Sequence, residues 1–173
     1  SSDRSLIITI DGPAGSGKTS AARGVAQQLG LSVLDTGSMY RTAALIALRE
    51  GIDPTDGKTI AARVAELGIK VDFSTTPPEV RLDGTCVGDS IRTTEVEAIV
   101  SEVAAQPEVR TALVEAQRGI SRQHPRLVTE GRDQGSVVFP DAAVRFFLTA
   151  TAGRRAHRRC SQVEARGGHA EEA

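Results

Sequence analysis

The chain has 173 residues, 39% hydrophobic and 25% charged, a composition that suits one globular unit and excludes a disordered or fibrous chain. Its 21 basic and 22 acidic side chains nearly cancel and aromatic residues reach only 3%, so neither a polyanion-holding field nor a base-stacking surface is expected, and no nucleic-acid polymer is expected as a partner. The longest apolar runs, 6–10 and 43–48, fall far short of the ~20 residues of a membrane span, so no membrane is expected either.

Residues 5–10 (SLIITI) are rich in branched apolar side chains, the composition of a buried parallel strand. A glycine-rich turn follows, then a helix over 19–29 closed by Gly30. A short strand is predicted at 31–34. Asp35 or Thr36 can cap the next helix, whose apolar positions Met39, Ala43, Ile46 and Ala47 recur at helical spacing up to Gly51. Residues 58–67 read as a helix ended by Gly68, and 69–73 alternate as a half-exposed strand does. Asp83-Gly84 between 80–82 and 85–87 is a hairpin signal. Two helices are expected at 94–104 and 107–122, the second with proline in its first turn. Strand-like runs return at 126–130 and 143–150, followed by a final helix at 152–166. Strands alternating with helices at both ends predict a parallel α/β sheet, interrupted by an insert over roughly residues 40–120 that holds a small antiparallel patch.

The sharpest local signal is Gly12-Pro13-Ala14-Gly15-Ser16-Gly17-Lys18-Thr19, an unbroken GxxxxGK[ST] between a predicted strand and a predicted helix. The glycines let consecutive backbone N–H groups face one anion, and the helix start adds partial positive charge. Lys18 brings a full charge to the β- and γ-phosphates, and the Thr19 hydroxyl can ligate Mg²⁺. With Ser20, this run is the expected binding site for a nucleoside triphosphate. The plainer alternative is a glycine-rich turn with an ordinary surface lysine. Cys86 and Cys160 are far apart and form no metal or redox pattern, so both are expected to be reduced thiols in a reducing, cytoplasmic compartment. The opening SSDRS has no initiator methionine and no signal-peptide pattern, which suggests added or trimmed leader residues.

Taken in order, ITIDGPAGSGKTS, LDTGSMYR, DSIRTTEVEAIVSEVAAQPEVRTALVEAQR and VTEGRDQGSVVFPDA resemble the bacterial cytidylate kinases. The resemblance runs from about Leu6 to the end of the chain. It implies an α/β fold with a P-loop NTPase-type parallel sheet flanked by helices, an inserted small α+β nucleoside-monophosphate-binding domain, and a short lid. The implied division is a core over 1–38 and 123–150, an insert with connecting helices over 39–122, and the start of a lid over 151–173. The implied reaction is transfer of the ATP γ-phosphoryl group to CMP or dCMP, with Mg²⁺ as cofactor and a monomeric enzyme.

The resemblance also assigns residues. Arg41 and Arg132 match acceptor-phosphate positions, where guanidinium forks suit planar phosphate contacts. Asp133 would accept from the exocyclic amine of cytosine, with Arg110 and Ser101 completing the base edge. Uracil would set a carbonyl against Asp133, so weaker use of UMP is expected. Thr36 keeps a hydroxyl near the acceptor, and Tyr40 lines the same pocket. Glu130, at a strand end, sits where a metal-orienting acid would lie, although many relatives carry aspartate there. Each has a plainer reading: an exposed helix arginine, a turn aspartate, a helix-capping serine. Arg154, Arg155, Arg158 and Arg159 cluster on the last predicted helix. Arg155 and Arg159 share a face there, and in this family such a lid compensates charge on the transferring phosphoryl group. Relatives continue beyond GGHAEEA with a further acceptor-contacting segment, a strand and a helix. The resulting expectation is a polypeptide that binds ATP and phosphorylates CMP poorly. The competing readings are another small-molecule P-loop kinase, such as one acting on shikimate, and an ATP-binding module without turnover.

Overall fold

A computed structural model of the chain describes residues 5–151 together with Gly153 and Ser161. Four parallel strands form the central sheet: β1 (Leu6–Asp11), β2 (Ser32–Asp35), β6 (Arg126–Gly131) and β7 (Val144–Phe147), in the order β2-β6-β1-β7. Their register aligns Asp11 with Gly131, and Asp35 with Glu130. Three strands thus end together, and the polar residues that close each apolar run gather at one edge. β1 lies between β6 and β7 while the chain leaves it for β2 beyond β6. Ligands of open α/β sheets bind at such a crossover, outside the carboxyl ends of the strands.

Helix α1 (Lys18–Leu29) lays Ala22 and Ala26 on one face of this sheet, against Ile8, Ile10 and Val128. Small side chains there let helix and sheet approach closely. The opposite face carries α2 (Thr36–Glu50) and α5 (Pro107–Gln123), whose Met39, Ala43 and Leu113 share a larger apolar cluster with Leu34 and Leu127. Helices α3 (Gly57–Leu67) and α4 (Thr94–Ala105) extend that cluster, through Ile60, Val64, Val96 and Val103, toward a second sheet of β3 (Ile69–Asp72), β4 (Glu79–Leu82) and β5 (Thr85–Cys86). This sheet is antiparallel, and its β4–β5 turn is the predicted Asp83-Gly84, both with positive φ (47° and 75°).

The predicted elements agree with these to within a few residues. Two short turns were not anticipated: a 3₁₀ turn at Ser90–Arg92, and a wide turn at Gln134–Val138 with i→i+5 hydrogen bonds from Val138 N–H to Asp133 and from Phe139 N–H to Gln134. The last apolar run also forms a more exposed strand than expected, leaving Val144, Phe146 and Phe147 open to solvent. The helix expected at 152–166, with Arg154, Arg155, Arg158 and Arg159, and Cys160 lie outside the described residues. Cys86 is exposed and unpaired. No helix among the described residues is long and apolar enough to cross a membrane.

Candidate active site

The glycine-rich loop joins β1 to α1 at the carboxyl edge of the sheet. At Gly12, with φ 153°, an added Cβ would lie 2.3 Å from the Leu148 carbonyl oxygen, so only glycine fits between β1 and β7. Gly17 caps α1 in the left-handed region (φ 96°) with no side-chain hydrogen bond, and the first turn contains no acidic residue. By contrast, α2, α3 and α4 have their leading amides occupied by the side chains of Asp35, Asp56 and Thr93. The α1 terminus therefore presents uncapped N–H groups and partial positive charge toward the loop, the arrangement an anion requires. Ser16 is buried inside the loop and its hydroxyl has no partner.

Lys18 folds back over the loop, its Nζ donating to the Pro13 carbonyl at 2.8 Å. Burial holds its ammonium below the ordinary value and Arg132 adds to this, while Glu130, Asp35 and Asp11 pull the other way. The Arg132 and Lys18 cations are thus within electrostatic range of each other. The Thr19 hydroxyl donates to Glu130 Oε2 at 2.9 Å. Glu130 is 4% exposed, and its Oε1 is buried without a partner. Burial, reinforced by the neighbouring Asp35 carboxylate, pushes the Glu130 carboxyl up to about 7 despite its bond to Thr19 and the charges of Lys18 and Arg23.

These atoms fit a hard divalent cation. Magnesium usually takes one or two protein oxygens and completes its octahedron with water and substrate phosphate. Thr19 Oγ1 and the orphaned Glu130 Oε1 are such oxygens. No group of three or more ligating side chains exists among the described residues to form an all-protein cage.

Across the carboxyl edge, α2 contributes Tyr40 and Arg41. Burial raises the Tyr40 phenol and the Asp133 carboxylate raises it further, with Arg110 opposing. Asp133 and Arg110 thus lie within electrostatic range of Tyr40, and Arg110 Nη2 donates to Asp133 Oδ2 at 2.8 Å. Arg41 Nε reaches Glu97 Oε2 of α4 at 3.4 Å, and its Nη1 packs over Gly37 near the start of α2. Ser101 is exposed on α4, one turn beyond Glu97 and on the same face.

Thr36 opens α2. It is buried and its hydroxyl donates to the Glu130 carbonyl at 2.7 Å. Ser20 is exposed on the first turn of α1. Four residues near the site were not singled out in the sequence for it. Asp35 was read only as a cap. Glu97 was read only as part of a helix, and Asp11 and Gln134 only as members of the resembling stretches. Their one visible signal was a carboxylate closing an apolar run, at Asp11 and Asp35.

A cytidylate kinase family model matches residues 8–173. The cytidylate kinase of Bordetella pertussis is 48% identical over 161 residues, spanning 93% of this chain and 70% of that protein. The cytidylate kinase of Rhodococcus jostii is 48% identical and that of Mycobacterium leprae 47%, each over 94% of this chain and 71% of the relative. A match across nearly the whole chain, joined to an intact phosphate loop at the crossover of a parallel sheet, has one meaning: the chain belongs to the cytidylate kinase family.

Proposed function

We propose that the protein transfers the γ-phosphoryl group of ATP to CMP or dCMP, with UMP a weaker acceptor. The observation that carries this reading is the Arg110–Asp133 pair, which joins α5 to the loop after Arg132 within electrostatic range of Tyr40. Cytosine shows an amino donor next to a ring-nitrogen acceptor, and a carboxylate beside a guanidinium is its complement. Uracil reverses part of that pattern and would leave Asp133 facing a carbonyl, a mismatch between two acceptors. Tyr40, its phenol raised, keeps its proton near neutral pH and can donate to the nucleotide.

In this reading residues 39–122 are the acceptor-binding insert, with Ser101 at its base-facing side, and residues 151–173 begin the lid. The triphosphate lies along Gly12–Ser20, its charge met by the α1 terminus and Lys18. The acceptor phosphate lies between Arg41 and Arg132, next to Lys18. Its attacking oxygen is already largely ionised near neutral pH, since such phosphates lose their second proton at about 6. No side-chain base is therefore required, and the residues act by positioning and by meeting negative charge. Mg²⁺ would be held by Thr19 and Glu130, supplying charge neutralisation at the β- and γ-phosphates. Glu97 holds Arg41 until a phosphate replaces it, at an exchange cost kept small because both groups are partly solvated.

The test is an acceptor screen with CMP, dCMP, UMP and AMP in the presence of Mg-ATP, read by ADP release and by calorimetric binding of each nucleotide. CMP or dCMP should exceed UMP by about tenfold or more and AMP by further. A preference for UMP or AMP, or binding of none of the four, would overturn the assignment.

A further inference from the structure

We propose that Asp11 is a positioning residue that locks the acceptor-reading loop to the phosphate loop. The inference rests on the reading of Arg132 and Asp133 given above. Asp11 is the last residue of β1 and the immediate neighbour of Gly12, and it is only 6% exposed. Both carboxylate oxygens are engaged: Oδ1 accepts the Gln134 N–H and Oδ2 accepts the Gly135 N–H, each at 2.8 Å. Two backbone amides on one buried carboxylate form charge-assisted bonds, stronger than neutral ones.

The surrounding contacts turn this pair into a bracket. On the near side of the loop, the Gly12 N–H donates to the Gly131 carbonyl at 3.3 Å. On the far side, Asp11 holds Gln134 and Gly135. Arg132 and Asp133 are the two residues between these anchors. Gly135 is pressed so closely onto the sheet that an added Cβ would lie 2.7 Å from Thr9 Oγ1 and 3.1 Å from the Arg145 side chain. The Gln134 side chain, fully buried, donates to Gln117 Oε1 at 3.1 Å and approaches Asp133 Oδ1 at 3.5 Å. Asp133 thus has Arg110 on one oxygen and a Gln134 group, anchored through Asp11, near the other.

The main chain of Asp11 continues into the phosphate loop, so the acceptor-reading loop takes its position from the strand that carries the phosphate loop. A catalytic group misplaced by an ångström can lose much of its effect. Asp11 also satisfies two buried amides, a purely structural service, and the test must separate the two roles.

Asp11→Asn keeps the shape but turns an amino donor toward one of the two N–H groups. In a positioning role, the folded variant binds CMP about tenfold more weakly, and its CMP-over-UMP discrimination falls by about threefold or more. A fluorescent ATP analogue should stay within about threefold of the wild-type affinity, because both side-chain bonds of Asp11 run to the acceptor-reading loop and Asp11 is the weakest of the charges acting on Lys18. Unchanged discrimination, or equal losses for CMP, UMP and the ATP analogue, would reduce Asp11 to a structural residue and overturn the proposal. Wild-type protein that does not bind CMP would instead overturn the acceptor reading itself, so the two failures are distinguishable. Should the variant not fold, amide hydrogen exchange on the wild type decides. Gln134 and Gly135 should be protected before any nucleotide is added, and exchange as fast as that of exposed Ser136 would refute the anchor.

Discussion

Glu130→Gln isolates what a buried carboxyl does to this protein before any ligand binds. Its carboxyl titrates at about 7 in the folded chain against an ordinary 4.5, the largest influence being burial and the next the Asp35 charge. Between those two values the folded protein keeps a proton that the unfolded chain has released, so stability falls as pH rises through that window. Below 4.5 both states are protonated, above 7 both are ionised, and the loss is complete. At 1.36 kcal/mol per unit, the raised carboxyl removes about 3 kcal/mol by pH 8. Glutamine has the same shape, retains an oxygen to accept from Thr19, and does not titrate. The stability of the variant relative to wild type should therefore increase by about 3 kcal/mol from pH 4.5 to pH 8, a gap of about 6–12 °C in Tm for a chain of this length. Melting of both proteins in EDTA, without nucleotide, reads this directly, and titrations of groups that do not feel Glu130 cancel in the difference. Curves that stay parallel across the range would refute the assignment of a desolvated, proton-holding Glu130.

Three further outcomes are expected. Lys18→Ala should lower kcat/KM by about 100-fold or more and weaken ATP-analogue binding while Tm changes little, since among the described residues the Lys18 side chain bonds only the Pro13 carbonyl; unchanged ATP-analogue affinity would count against the phosphate cradle. Asp133→Ala should weaken CMP binding by about tenfold and UMP binding much less, measured by calorimetry, with equal losses contradicting a base-reading role. Glu97→Gln should tighten CMP binding by about two- to fivefold, because a carboxylate no longer competes with the phosphate for Arg41, and should shift stability by less than about 0.5 kcal/mol; weaker CMP binding would show that Glu97 orients Arg41 rather than occupying it.

Local chemistry made much of the fold readable in advance. The branched run before Gly12, the glycines ending α1, α2 and α3, the proline opening α5 and the Asp83-Gly84 turn act within a few residues, and each lies in the structure where it was expected. The wide turn at Gln134–Val138 was not readable. Its geometry depends on a carboxylate more than 120 residues away in the chain, and no local propensity encodes an acceptor supplied by another strand. The exposure of β7 was likewise invisible, because an apolar run shows a preference for burial and not whether a partner covers it.

The site divides along the same line. GPAGSGKT is a contiguous string whose shape follows from backbone freedom at its glycines, so sequence by itself determined the glycine-rich turn between β1 and α1. Which side chains oppose it was decided only by tertiary structure. The sheet register brings Glu130 beside Asp35 and within reach of Thr19, and the crossover sets Asp11 beneath Gln134 and Gly135. The same packing withdraws the Thr36 hydroxyl into a bond with the Glu130 carbonyl and ties Arg41 to Glu97. The reason is range: steric freedom and charge at a tight turn act over a few bonds, whereas burial, ion pairing and carboxyl titration depend on neighbours that only the completed sheet brings together.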